Sequence, residues 1–194
     1  MHLLDSLIDY DKKLLLYLNS KGTATFDFFW LFITNPLNWL PLFFILFYVG
    51  FKVFGFKKTL LISCITALSG SFALLVVNVI KNTTQRARPI NDNTLKESLR
   101  ILIEQNDFSF VSGHSAVSFT IAFISYWTLK KHYSYTYLIF LFPMLFAYSR
   151  IYLAAHFPTD IIFGMLLGYV IALGTYKLIL VRILKTKLFN PADS

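Results

Sequence analysis

The sequence predicts an all-α integral membrane protein, a helical bundle with about five transmembrane helices. Three observations predict it. Of 194 residues, 56% are hydrophobic, 18% aromatic and only 14% charged, too few polar side chains to clothe a soluble globule of this size. The apolar residues gather into runs close to the roughly 20 that a helix needs to cross a bilayer. Most Lys and Arg residues stand beside those runs, where they set orientation. The formal charge of +8 would suggest nucleic acid in a soluble domain. Once the basic residues are assigned to membrane ends no basic face survives, so no nucleic-acid partner is expected. The single cysteine, Cys64, excludes an intramolecular disulfide.

The elements follow in order. Residues 1–36 form an N-terminal interfacial segment. In it Leu3, Leu4, Leu7, Ile8, Leu14 and Leu15 interleave with Asp5, Asp9, Lys12 and Lys13, the pattern of an amphipathic helix lying in the interface. Its start carries Asp5, Asp9 and Asp11 and no basic region, unlike a cleaved signal peptide, so it is expected in the mature protein. Five spans are predicted over Leu37 to Phe54, Thr59 to Ile80, Ser115 to Leu129, Tyr135 to Ser149 and Asp160 to Val181. If they alternate, Lys52, Lys57, Lys58, Lys130, Lys131, Lys177, Arg182, Lys185 and Lys187 all fall on one side, the cytoplasm. The N-terminal segment, the 81–114 connection and the 150–160 turn fall on the other. Within the 90–110 loop, Thr94-x-x-Glu97 followed by Leu95, Leu99, Leu102 and Ile103 predicts a second interfacial helix with a capping box. The chain shows no internal repeat, and residues 1–194 are expected to form one membrane-embedded domain.

Three fragments carry chemistry, and all lie on the outward side. They are Lys81-x6-Arg88-Pro89, Ser112-Gly113-His114 and Ser149-Arg150-x5-His156-x3-Asp160, within residues 81–160. Lys81, Arg86, Arg88 and Arg150 are cations on the side that orientation normally leaves poor in them, which calls for a ligand. If the last span starts near Phe157, His156 and Asp160 share a helical face, and the carboxylate holds one ring nitrogen protonated while the other keeps its lone pair. Such a nitrogen is a nucleophile toward phosphorus. Ser112, Gly113 and the N–H groups of a helix start form a nest for phosphate oxygens, and His114 is placed to protonate a leaving alkoxide. Lys81, Arg88 and Arg150 supply charge to a phosphoryl group in transit, so no metal or other cofactor is required. Arg86 either assists or meets lipid headgroups. Two other readings stand beside this one: a transporter that binds anionic lipid without reaction, and a metal site built from His114, His156 and Asp160. The His156 and Asp160 pair speaks against passive binding, and adjacent Arg150 against a bound cation.

The three fragments resemble the type 2 phosphatidic acid phosphatases, membrane relatives of the vanadium haloperoxidases. The family pattern, Lys-x6-Arg-Pro, Pro-Ser-Gly-His and Ser-Arg-x5-His-x3-Asp, is matched at Lys81, Arg88, Pro89, Ser112, Gly113, His114, Ser149, Arg150, His156 and Asp160, with Val111 in place of the usual proline. That departure is expected to loosen the loop before Ser112. The resemblance implies a metal-independent hydrolase in which His156 forms a phosphohistidine, Asp160 supports it, and His114 protonates the leaving group and helps activate water. Lys81, Arg88, Ser112, Gly113 and Arg150 would hold the phosphate. It further implies a phosphorylated membrane lipid as substrate and a multi-pass protein of a bacterial inner membrane, its site facing the periplasm. Of the substrates such enzymes act on, lipid A at its 1- or 4′-phosphate is preferred and undecaprenyl diphosphate comes second. Phosphatidylglycerophosphate and phosphatidic acid follow.

Overall fold

A computed structural model describes residues 2–185, with side chains from Asp5 onward; Lys187 and the side chains of Leu3 and Leu4 lie outside the described residues. The described residues form helices and connections without strands. The helices are α1 (His2–Ser20), α2 (Ala24–Ile33), α3 (Leu40–Phe54), α4 (Phe56–Thr84), α5 (Gly113–Leu129), α6 (Leu141–Tyr152) and α7 (Pro158–Thr175). A π-helical turn, Tyr176–Leu180, continues α7 into α8 (Val181–Lys185).

The protein is a membrane helical bundle, as its composition demands. Pro36–Phe54, Phe56–Asn91 and Pro158–Lys185 are long and apolar enough to cross a bilayer, and their outer faces carry exposed Phe44, Leu68, Phe72, Leu75, Ile162 and Val170. Such a belt is stable only in lipid. All five apolar segments of the sequence are helical. The fourth is divided, with a 3₁₀ stretch over Ser134–Phe140 before α6, because Pro143 has no N–H to bond the Ile139 carbonyl and an α-helix cannot run through. A reversal at Gly55 (φ 75°) joins α3 to α4 in a conformation that favours glycine.

At the centre stands α5, with Ser115, Ala116, Phe119, Thr120, Ala122 and Ile124 buried between α4, α6 and α7. Its approach to α7 is close enough that a Cβ on Gly168 would lie 2.5 Å from the Ala116 carbonyl oxygen, and one on Gly164 2.7 Å from that of Ser112. Gly164-x3-Gly168, with Ala172 one turn on, is the small-residue stripe that lets two membrane helices meet backbone to backbone. The sequence displays this stripe openly, and motif reading directed at phosphate chemistry passed over it.

The helix ends sort into two groups. Lys58 Nζ donates to the Leu184 carbonyl at 3.1 Å and the Phe54 and His132 rings meet at 5.3 Å, so the ends of α3, α5 and α8 gather at the lysine-rich end. Lys81, Arg88, Arg150 and His156 gather at the other.

One expectation is corrected. The predicted interfacial helix in the 90–110 loop does not form; only 3₁₀ turns occur there, at Pro89–Asn91 and Lys96–Ser98. Asp92 Oδ1 accepts from the Thr94 N–H at 2.9 Å and from its hydroxyl at 2.6 Å, so the Thr94 side chain is drawn into a turn instead of capping a helix. Arg100 N–H donates to Asn19 Oδ1 at 2.8 Å, which fixes the segment on α1. The N-terminal segment also does more than lie in an interface. Asp11, Leu15 and Asn19, four residues apart, are buried against the bundle. The second helix of the segment, α2, has Trp30 packed on Tyr148 and Tyr152 of α6.

Candidate active site

Four helix ends deliver the site. Lys81 sits in the last turn of α4, which ends at Gln85 in the left-handed region (φ 47°) and turns the chain so that Arg88 points back across the bundle end. Ser112 caps α5, its hydroxyl accepting from the Ser115 N–H at 3.4 Å, and places Gly113 and His114 in the first turn. Arg150 closes α6, where Ala154 (φ 52°) lets the Ala155 N–H return to the Arg150 carbonyl at 2.9 Å. Ala154 is a buried non-glycine residue in a conformation that favours glycine, so the turn bearing His156 is held by its surroundings. Asp160 stands in the first turn of α7, accepting from the Phe157 N–H at 2.8 Å.

These groups meet at one cavity of about 240 Å³, lined by Lys81, Arg88, Gly113, His114, Arg150 and His156, with Gln105, Asp107, Asn78, Val77 and Leu74 completing the wall. Both imidazoles therefore face a single volume. Arg150 is 2% exposed; its Nη1 donates to Thr34 Oγ1 at 2.6 Å and its Nη2 to Gln105 Oε1 at 2.8 Å, while its Nε has no partner within the protein. An orphaned donor in a buried guanidinium marks a place built for an anion. Arg88 Nη1 donates to the Ala155 carbonyl at 2.6 Å and lies 3.2 Å from His156 Nε2, which fixes that ring edge toward the cations.

Behind the cavity, His156 Nδ1 lies 3.5 Å from Asp160 Oδ2, near it as their spacing predicts but without a hydrogen bond between them. Asp160 is fully buried and does not line the cavity. Its Oδ1 accepts from Arg86 Nη1 at 2.7 Å, and Oδ2 from the Ser109 hydroxyl as well as the Phe157 N–H. With both oxygens so committed, Asp160 is poorly placed to join His114 and His156 as a metal ligand. Burial pushes the His156 imidazole down to about 4; the upward pull of Asp160 is outweighed by burial together with Arg88 and Arg150. The ring is thus held neutral, and its Nε2 edge faces Arg88 Nη1 and the cavity. Burial alone would raise the Asp107 carboxyl, but Arg88 and Lys81 hold it well below the usual carboxylate range.

Among the residues read from the sequence, Lys81, Arg88, Gly113, His114, Arg150 and His156 line the cavity. Ser112 does not, since its buried hydroxyl caps α5 and its N–H donates to the Asp160 carbonyl at 3.0 Å. Arg86 does not line the cavity. It ties Asp160 to Asp11, with Nη2 donating to Asp11 Oδ2 at 2.7 Å and its guanidinium 4.0 Å over the Phe157 ring. Asp11 also accepts from the Thr159 N–H at 2.9 Å, so α1 braces the base of α7. Sequence reasoning missed Asp11, Thr34, Gln105 and Asp107, which belong to no motif; only Asp107 offered a signal, as an acid downstream of the basic stretch. Val111, in place of the usual proline, is buried against Val77 and Ala116.

A cationic cavity flanked by two imidazoles, at one end of an apolar helical bundle, defines a membrane phosphatase. Residues 58–183 match the PAP2 superfamily model, and the chain belongs to that family. It is 28% identical over 170 residues to a lipid A 4′-phosphatase of Bacteroides thetaiotaomicron, covering 86% of this chain and 75% of the relative. It is 26% identical over 165 residues to an undecaprenyl-diphosphatase of Sulfolobus acidocaldarius, covering 83% and 74%. Its fold is shared with the crystal structure of a transmembrane PAP2-type phosphatidylglycerolphosphate phosphatase from Bacillus subtilis, at a TM-score of 0.71 and 22% identity, covering 94% of this chain and 89% of that one.

Proposed function

We propose that this protein hydrolyses the 4′-phosphate of lipid A at the periplasmic face of a bacterial inner membrane, through a phosphohistidine. The observation that carries the reading is the single cavity onto which both imidazoles and the cations Lys81, Arg88 and Arg150 open. His156 Nε2 attacks phosphorus, a P–N bond forms, and the P–O bond to the lipid breaks. Burial and the neighbouring cations hold the His114 imidazole down in the free site; the negative charge of the incoming phosphate raises it, so that His114 takes up a proton with the substrate and gives it to the departing lipid oxygen. A water then attacks phosphorus, loses a proton to His114, and releases orthophosphate as the P–N bond breaks. Arg150, Arg88 and Lys81 neutralise the oxygens throughout, and Asp160 acts through His156 without touching phosphate. The choice of lipid A is supported by the Bacteroides relative; undecaprenyl diphosphate is the second reading, supported by the Sulfolobus relative.

The test is phosphate release by purified protein in detergent, offered lipid A, undecaprenyl diphosphate, phosphatidylglycerophosphate and phosphatidic acid separately. Lipid A is expected to be the best substrate, with His156→Ala inactive though folded, and a chelator without effect. Fastest release from another lipid would overturn the substrate. Retained activity in His156→Ala would overturn the nucleophile, and chelator inhibition reversed by a divalent metal would restore the metal-site reading.

A further inference from the structure

An anion of the protein's own already occupies the cations that would hold phosphate. Asp107 Oδ1 and Oδ2 accept from Nε and Nη2 of Arg88 at 2.9 and 2.8 Å, and Oδ2 accepts from Lys81 Nζ at 2.7 Å. The Nε–Nη2 edge is a face of the guanidinium that can grip a carboxylate or a phosphate with two parallel bonds. On Arg88 it is closed on Asp107. Arg150 differs, because its buried Nε is unpartnered. Asp107 itself is 59% exposed at the cavity mouth, on a connection without a regular helix between Ser98 and Gly113, so its side chain can swing outward without breaking buried packing.

We propose that Asp107 competes with the substrate's phosphate for Arg88 and Lys81, and by doing so sets a preference for a lipid monophosphate over a lipid diphosphate. The inference rests on the phosphatase reading above and refines its substrate. Apart from the imidazoles, Lys81, Arg88, Arg150 and Asp107 leave the cavity with two positive charges in excess, a match for one phosphate monoester of roughly −1.5 to −2 at pH 7. That phosphate enters against Arg150 and displaces the carboxylate to the rim. A diphosphate sets its second phosphoryl group at the same rim, beside the displaced carboxylate, and the like charges repel. Lys81 and Arg88 are shared by both anions and offset only part of that repulsion.

The experiment uses a matched pair, a polyprenyl monophosphate and its diphosphate, with wild type, Asp107→Asn and Asp107→Glu protein in detergent. Orthovanadate binding, followed by tryptophan fluorescence, accompanies the assay. Asp107→Asn is expected to bind orthovanadate about tenfold more tightly and to shift the ratio of kcat/KM toward the diphosphate by a similar factor, on the order expected for one charge a few ångströms away. Asp107→Glu, which keeps the charge, is expected to keep the monophosphate preference. If Asp107 instead organises Arg88 and Lys81 for catalysis, Asp107→Asn binds orthovanadate more weakly and loses activity on both lipids alike; that result, or an unchanged ratio, overturns the proposal. Wild-type protein that binds orthovanadate but releases phosphate from no lipid would overturn the phosphatase reading instead, leaving the binding comparison to decide the role of Asp107.

Discussion

His156 shows how burial selects a protonation state. An exposed imidazole is half protonated near 6.5, but this ring is buried between two guanidinium groups and held down to about 4. Between those values the unfolded chain takes up a proton that the folded protein refuses, so stability falls as pH is lowered through this window. Nitrogen-15 spectra of the imidazoles, compared with those of His156→Ala to assign the signal, are expected to show His156 neutral at pH 5.5. In Arg88→Gln the transition should move upward, because one of the charges opposing protonation is gone. A His156 transition near 6.5 in the wild type would show that the ring is solvated and the pocket open. Asp160 complements it from behind: its oxygens are engaged by Arg86, Ser109 and the Phe157 N–H, which hold it in place.

Two helices, α5 and α7, bring the halves of the site together, and glycine decides how near they come. A Cβ at position 168 would strike the Ala116 carbonyl and, at 3.0 Å, the Thr120 nitrogen, both backbone atoms that cannot rotate away. Gly168→Ala must therefore push the helices apart, at about 1–3 kcal/mol by the usual cost of overpacking. It should lower the thermal midpoint and cut phosphate release, because His114 rides on α5 while His156 precedes α7. Gly174→Ala is the control, since nothing lies within 4 Å of the added methyl, and its better helix propensity should leave stability equal or slightly higher. Equal midpoints for the two variants would mean that the close approach is not under strain. The 90–110 loop gives the opposite lesson about an element. Its apolar spacing suits a helix, but Asp92 takes the Thr94 N–H and hydroxyl, and the Arg100 N–H is held by Asn19 eighty-one residues away.

The whole molecule is polar in the directional sense. Lysines collect at one end and the cavity at the other, and the preference of lysines for the cytoplasmic side predicts a cavity that faces outward. In a Cys64→Ser background, an impermeant thiol reagent applied outside intact cells should label Asn106→Cys and spare His132→Cys. The reverse pattern would place the cavity in the cytoplasm and remove the basis for a periplasmic lipid substrate. The N-terminal segment is part of this body, reaching the site through Asp11 to Arg86 and through Thr34 to Arg150.

Composition, the lengths of the apolar runs and three spaced fragments were enough to read a helical membrane phosphatase and six residues that line its cavity. Those signals are local: a span is a run of adjacent residues, and a motif fixes side chains within one or two turns. Asp11, Thr34, Gln105 and Asp107 came into view only with the folded chain. Each acts on a partner between 19 and 116 residues away in sequence, and no spacing rule connects them. The same holds for the direction of the Ser112 hydroxyl, which turns to the Ser115 N–H, since the direction of a buried side chain is set by the neighbours that enclose it.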